Sequence, residues 1–196
     1  MKIDPADIQV MVFEGRKVNP ALKQWLKRFP HRKVLAPPTG LRDFLCLWRN
    51  HEIAAFLADT VGPPWLLLLD DDMVPVEDTD LLLDCPADLA GAAYWSRPGP
   101  DGSPGGIAHG ADGYVGAAAL KVSRRALSAV EPPWFWAEPD PAGTKLARCE
   151  CTYFCDKMRA AGFHPVKAGR IGHILPMVVL PDPAGEGFMV RFPSGQ

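Results

Sequence analysis

The chain has no long apolar run. Its 196 residues contain nothing near the roughly 18 consecutive apolar residues of a membrane span, and the opening MKIDPADIQVMVFEG has no apolar signal core. The expectation is a soluble, cytoplasmic protein without a transmembrane segment. Excess charge is lacking too, since 21 Lys and Arg against 23 Asp and Glu leave a net charge of −2. With no broad basic field, no nucleic-acid partner is expected, although a phosphate-bearing ligand could bind at a local site. Cysteine is scarce and odd in number: of 5, three crowd together as Cys149, Cys151 and Cys155. That pattern suggests free thiols in a reducing compartment rather than a disulfide framework, and it lacks the second pair of the common structural zinc knots.

What is present centres on Trp65 to Pro75, where Leu66, Leu67, Leu68 and Leu69 run into Asp70, Asp71 and Asp72. An apolar run of that length between prolines reads as a strand buried on both faces, as in the middle of a parallel sheet. Around it, elements alternate. Ile8 to Phe13 reads as a strand, Asn19-Pro20 opens a helix, Lys33 to Ala36 is a second strand, and Leu41 to Thr60 is a long amphipathic helix. Glu77 to Asp84 reads as a short helix and Leu89 to Trp95 as a strand. Tyr114 to Val122 is another strand, followed by a helix capped by Ser123. Glu150 to Ala161 is a helix closed by Gly162, and Pro165 to Ala168 a short strand. The order implies one α/β domain, a mixed, mostly parallel sheet flanked by helices, over residues 1–175. A Pro-rich tail, residues 176–196, is expected to lie on the same domain as a loosely packed arm.

Three acids at a buried strand end repel one another and lose solvation, so a divalent cation is their natural partner. In extended backbone Asp70 and Asp72 face one side and Asp71 the other; a solvated turn is the alternative. His173, in Gly169-Arg170-Ile171-Gly172-His173-Ile174, is either a core histidine or a third ligand. Glu150 at a helix start is either a general base or a charge for the helix dipole. Arg49 is a solvent-facing residue or, if its helix meets the crevice, a partner for a diphosphate or an aspartate. Arg97, Arg124 and Arg125 are weaker candidates of the same kind. Of Trp134, Phe135 and Trp136, one is expected to plug the core and another to be exposed. The Gly- and Pro-rich stretch 96–106 reads as a binding loop or a surface excursion.

Several motifs together carry a resemblance: Arg-Asn on a helix, the strand ending Leu-Asp-Asp-Asp, the Arg-Arg helix, Pro-Pro-Trp-Phe, an acid before Thr-Tyr-Phe-Cys, Ala-Gly-Phe, and Gly-His-Ile. From about Leu41 to Ile174 the chain resembles small family-2-like nucleotide-sugar glycosyltransferases of the type A, Rossmann-like fold. The resemblance implies transfer of a sugar from a nucleoside-diphosphate sugar to a hydroxyl of a glycan, protein or small-molecule acceptor. It implies Mn2+ or Mg2+ held by Asp70, Asp72 and His173, nucleotide contacts from Asp70, Asp71, Arg49 and Glu14, and an acceptor-side acid pair at Glu150 and Cys151. Cys151 stands where the family carries aspartate. Either Glu150 is the base, or the enzyme is retaining, or the protein binds donor without transferring it. A haloacid-dehalogenase-type phosphatase, with Asp70 as nucleophile and Asp72 as acid-base, is a rival that would need a later lysine and acid pair.

Overall fold

The computed structural model describes residues 2–15, 17–36, 45–96, 108–109, 113–144, 146–174, 178–181 and 188–191. Its centre is a seven-stranded sheet ordered β2-β1-β3-β6-β5-β9-β4. The strands are β1 (Ile8–Phe13), β2 (Arg32–Leu35), β3 (Trp65–Asp70), β4 (Met73–Pro75), β5 (Leu89–Ala93), β6 (Ala119–Ser123) and β9 (Val166–His173). The pairs β1–β2, β1–β3 and β5–β9 are parallel, whereas β6 and β4 run against their neighbours. The expected mixed, mostly parallel α/β sheet is therefore present. Among the described residues no helix is long and apolar enough to cross a membrane.

The leucine run is buried as its sequence demands. Leu66 and Leu68 face one core with Trp48, Phe56, Phe135 and Phe154, while Leu67 and Leu69 face the other with Leu22, Leu26, Phe29 and Leu82. The second face is covered by α1 (Pro20–Leu26) and α3 (Asp80–Asp84), the first by α2 (Leu45–Ala58), α4 (Arg124–Ser128) and α5 (Glu150–Ala160). Side-chain alternation along a strand fixes this two-sided burial, and each fully buried leucine contributes about 1.5–3 kcal/mol relative to exposure.

Local capping follows the sequence closely. Asn19 Oδ1 accepts from Leu22 N at 2.8 Å, with Pro20 in the first turn. Ser123 Oγ accepts from Ala126 N at 3.0 Å, and Gly162, with φ of +87°, ends α5 in the left-handed region.

Two expectations need correction. The strand drawn from Tyr114 begins only at Ala119; of the buried residues before it, Gly116 passes close to Tyr94, and the Ala118 carbonyl accepts from Asp70 N at 3.0 Å. The short strand at Pro165 to Ala168 is instead eight residues long, because a bulge carries it past Gly169. Gly169 has φ of +69°, and a Cβ there would run into the Asp78 carbonyl. In the tail, β10 (Val178–Pro181) pairs antiparallel with β11 (Phe188–Arg191). The first residues of the long helix, 41–44, and the loop from residue 97 to 107 lie outside the described residues.

Candidate functional site

Because β1, β2, β3, β5 and β9 share one direction, their carboxyl ends gather on one edge of the sheet, where ligands of open α/β sheets bind. Glu14 follows β1, Asp70 ends β3, Tyr94 and Trp95 follow β5, and His173 ends β9. Alternation then selects the face. Asp70 has the parity of Leu66 and Leu68, so it points to the α2 and α5 side.

Arg49 of α2 waits there. It is 1% exposed, its Nη2 lies 2.9 Å from Asp70 Oδ1, and its Nη1 lies 3.3 Å from Glu150 Oε1. The rings of Phe13 and Phe135 flank its guanidinium at 5.7 and 5.5 Å. Asn50 fixes the Phe135 side by exchanging two 2.8 Å hydrogen bonds with the Phe135 backbone. With Arg49 buried and Asn50 half-buried, the Arg-Asn pair is positioning machinery rather than a solvent-facing pair. Burial works against the charge of Arg49, but Asp70, Cys151 and Glu150 together raise its pKa. Burial also pushes the Asp70 carboxyl up, against the pull of Arg49 and with the help of Asp72. Asp70 keeps 26% of its side chain exposed, so its carboxylate still reaches the crevice edge.

Asp72 and His173 meet one step further on. The turn after β3 sends the chain back as β4, which pairs antiparallel with β9 and sets Met73 opposite His173. His173 Nε2 then lies 3.3 Å from Asp72 Oδ2, with side-chain exposures of 9% and 15%. Its Nδ1 is 2.7 Å from the Trp95 carbonyl. A carbonyl can only accept, so Nδ1 carries a proton and Nε2 is the atom turned to the carboxylate. That is how a metal-binding histidine is held, with its far N–H on a backbone carbonyl and its near nitrogen beside a second ligand. A protonated imidazole paired with Asp72 would satisfy the same geometry. The Tyr94 and His173 rings meet at right angles, with centroids 5.8 Å apart.

The other candidates divide. Asp71 is buried in the turn, where its carbonyl receives Asn19 N at 3.4 Å and Asn19 Nδ2 at 3.3 Å, so it ties β3 to α1. Glu14 closes the loop after β1, accepting from Val18 N at 3.2 Å. Asp70 is committed to Arg49, so of the three expected metal ligands the structure brings only Asp72 and His173 into contact. Glu150 opens α5 and stands beside the Cys151 thiol, at 3.6 Å. The Cys151 thiol is buried against Ala117 N and shares a hydrogen bond with Cys149, and its pKa is pushed well above the ordinary value, first by that bond and then by burial. Unless a bound cation displaces its proton it stays a thiol, and it cannot act as the base at the aspartate position.

Arg124 donates to the carbonyls of Phe56, at 2.7 Å, and Pro63, at 3.1 Å, and Arg125 pairs with Asp88, so both have structural roles. Arg97 lies outside the described residues. Trp134 and Phe135 are both buried and Trp136 is 43% exposed, one more plug than expected. Lys121, a later lysine that a phosphatase could use, donates instead to the Leu83 and Cys85 carbonyls. A cleft of about 580 Å3, lined by Gln9, His31, Arg32 and Pro63 among others, opens at the amino ends of β1 and β3, away from the acids.

One grouping escaped sequence reasoning. Among the described residues, the set of three potential metal ligands lying within 4.8 Å of one another is His109, Cys149 and Cys151. The two cysteines were visible as C-x-C; their partner is 40 residues upstream in the chain from Cys149, across a loop that no spacing rule spans.

No protein-family model matches the chain, and no curated protein matches it. Among solved structures it is similar to A197 from STIV, at 15% identity across 96% of this chain and 95% of that one, with a TM-score of 0.61. At that identity the likeness speaks for a shared fold alone.

Proposed function

We propose that the chain is a metal-dependent glycosyltransferase on a type A, Rossmann-like fold, with a nucleoside-diphosphate sugar as donor and a hydroxyl of a glycan, protein or small molecule as acceptor. The observation that carries this reading is His173, with Nδ1 fixed on the Trp95 carbonyl and Nε2 beside Asp72, at the carboxyl end of a buried strand bearing D-x-D. An imidazole nitrogen and a carboxylate oxygen suit Mn2+ or Mg2+ completed by phosphate oxygens. Such an ion, when bound, would offset charge on the departing nucleoside diphosphate.

The chain's own residues have separate tasks in this reading. Arg49 holds Asp70 at the crevice edge, and Asp70 and Glu14 face the nucleoside. Glu150 takes the proton from the acceptor hydroxyl, since Cys151 cannot. Arg49 between Asp70 and Glu150 sets the distance from donor side to acceptor side. A second reading, a donor-binding scaffold without transfer, draws on the same Cys151 and on the commitment of Glu150 to Arg49.

Calorimetry with UDP, GDP, CDP and dTDP, with and without Mn2+, tests the proposal. One nucleotide should bind only with the metal, and Asp72→Ala should abolish that binding. Binding that survives both chelator and Asp72→Ala would sink the metal site. Slow hydrolysis of the matching nucleotide-sugar, lost in Glu150→Gln while binding persists, separates transferase from scaffold.

A further inference from the structure

The thiols at the start of α5 are not used by the proposed transfer reaction, yet they are not scattered. We propose that His109, Cys149 and Cys151 form a second metal site, selective for a thiophilic divalent cation of the zinc class and separate from the carboxylate site at Asp72 and His173.

The geometry supports this from several sides. All three ligand atoms lie within 4.8 Å of one another, and His109 Nε2 is 3.8 Å from Cys149 Sγ. With zinc–sulfur bonds of about 2.3 Å and zinc–nitrogen bonds of about 2.0–2.1 Å in tetrahedral array, ligand atoms sit about 3.6–3.8 Å apart. Closing the cluster on an ion therefore asks for small side-chain movements. Two thiolates and an imidazole are a soft donor set that selects zinc over magnesium or manganese, whereas Asp72 with His173 is the harder set.

The surroundings are those of a ligand shell. Cys149 is the N-cap of α5, and its Sγ takes Thr152 N at 3.5 Å and lies 3.1 Å from Thr152 Oγ1, so a thiolate there would have two donors behind it. Ala117 N reaches Cys151 Sγ at 3.2 Å. His109 is, among the described residues, the non-glycine with positive φ, at 51°. A residue with a Cβ is disfavoured in the left-handed region, and such positions cluster where a side chain must be aimed. Ala108, next to it, is pinned by its N–H to the Tyr94 carbonyl at 2.8 Å, which anchors the imidazole to the end of β5.

Three protein ligands leave a fourth position for water or a carboxylate. Glu150 Oε1, 3.6 Å from Cys151 Sγ, is the carboxylate beside it. An ion here would tie the 108–109 turn to α5 and fix the backbone on both sides of Glu150. The site would thus set the acceptor-side acid without touching the donor metal.

Cobalt is the probe. Anaerobic titration of the reduced, full-length protein with Co2+ should give the thiolate-to-cobalt charge-transfer band and the visible bands of tetrahedral cobalt, saturating at one equivalent. Zn2+ should bleach them and excess Mg2+ should not. Cys149→Ser should remove about half of the charge-transfer intensity, one thiolate of two, while Cys46→Ser and Asp72→Ala leave it unchanged. Should the cysteine variants fail to fold, iodoacetamide mapping of the wild-type chain decides the matter: Zn2+ should protect Cys149 and Cys151 but not Cys46 or Cys85. No cobalt band, a band that survives Cys149→Ser with Cys151→Ser, a band lost in Asp72→Ala, or equal labelling with and without zinc would each overturn the proposal. None of these readouts depends on nucleotide binding or sugar transfer.

Discussion

Two arginines in this molecule do the same thing in different surroundings. Arg49 bridges Asp70 and Glu150, and Arg148 bridges Glu138, at 2.8 Å, and Asp156, at 3.2 Å. Both reach α5. The side chain of Arg49 is 2% exposed, its guanidinium between two aromatic rings, while the side chain of Arg148 is 33% exposed, its guanidinium over Tyr153 at 4.8 Å. Arg148 even engages one more nitrogen than Arg49, holding Glu138 with both Nε and Nη2, and the bond lengths scarcely differ, so burial separates them. In the interior, removing one partner leaves an uncompensated charge, and the pair becomes a fixed part of the architecture. At the surface, water and salt replace either partner. Arg49 can therefore position two acids at the crevice. Arg148 secures β7 (Glu138–Pro139) and β8 (Leu146–Arg148) to α5 at little gain in stability.

The largest effect should come from Arg49→Met, which keeps the bulk and removes the charge. Breaking a buried pair costs about 3–5 kcal/mol, and the partial exposure of Asp70 places the expected loss near the lower figure. Urea unfolding at pH 7 in chelator measures it. The pH dependence has a definite sign. Because the Asp70 carboxyl is raised when folded, the folded chain holds the extra proton between the ordinary value of 3.8 and its folded value, and stability falls as pH rises through that window. Arg49 opposes the shift, so its removal widens the window upward. The deficit of the variant relative to the wild type should be smallest below about pH 4 and grow toward neutrality. A deficit independent of pH would show that packing, rather than charge, is what Arg49 supplies.

The contrast between the two arginines also marks how far the sequence could be read. Leu66 to Leu69 followed by acids was legible because an apolar strand without alternation has to bury both of its faces, and strand parity then sent Asp70 toward α2. The helix starts at Asn19 and Ser123 were legible because capping is a local hydrogen bond. Arg49 was legible only as a possibility, since Leu47 beside it is 39% exposed and nothing local says which side of α2 is inside. The strand before His173 was legible only as far as Ala168, whereas it runs on to His173 itself. The bulge that needs Gly169 is what carries β9 on to meet β4 and Asp72. His109 was invisible, because what brings it to Cys149 is the folded chain, with Ala108 N–H on the Tyr94 carbonyl, and not spacing.

Glu150→Gln should have an intermediate effect. It weakens one arm of the Arg49 bridge but leaves Asp70 in place, so no buried charge is orphaned. The expected loss is about 1 kcal/mol, that of one charged hydrogen bond replaced by a neutral one. Urea midpoints with an unchanged slope would identify this as a local loss. A cost equal to that of Arg49→Met would mean that the two arms act as one unit, and the tasks assigned separately to Asp70 and Glu150 would have to be merged.

Arg148→Met should matter least. Its carboxylate partners Glu138 and Asp156 are 39% and 34% exposed and can be solvated where they stand, so the expected loss is at most about 1 kcal/mol. What the pair contributes should also be screened away: in thermal melts from low salt to about 1 M, where the Debye length falls to about 3 Å, wild type and variant should converge. Arg49→Met should keep its deficit over the same range, because salt does not enter the space between Phe13 and Phe135. If instead both deficits fade together with salt, Arg49 is solvated in solution, and the rigid spacing between donor side and acceptor side loses its physical basis.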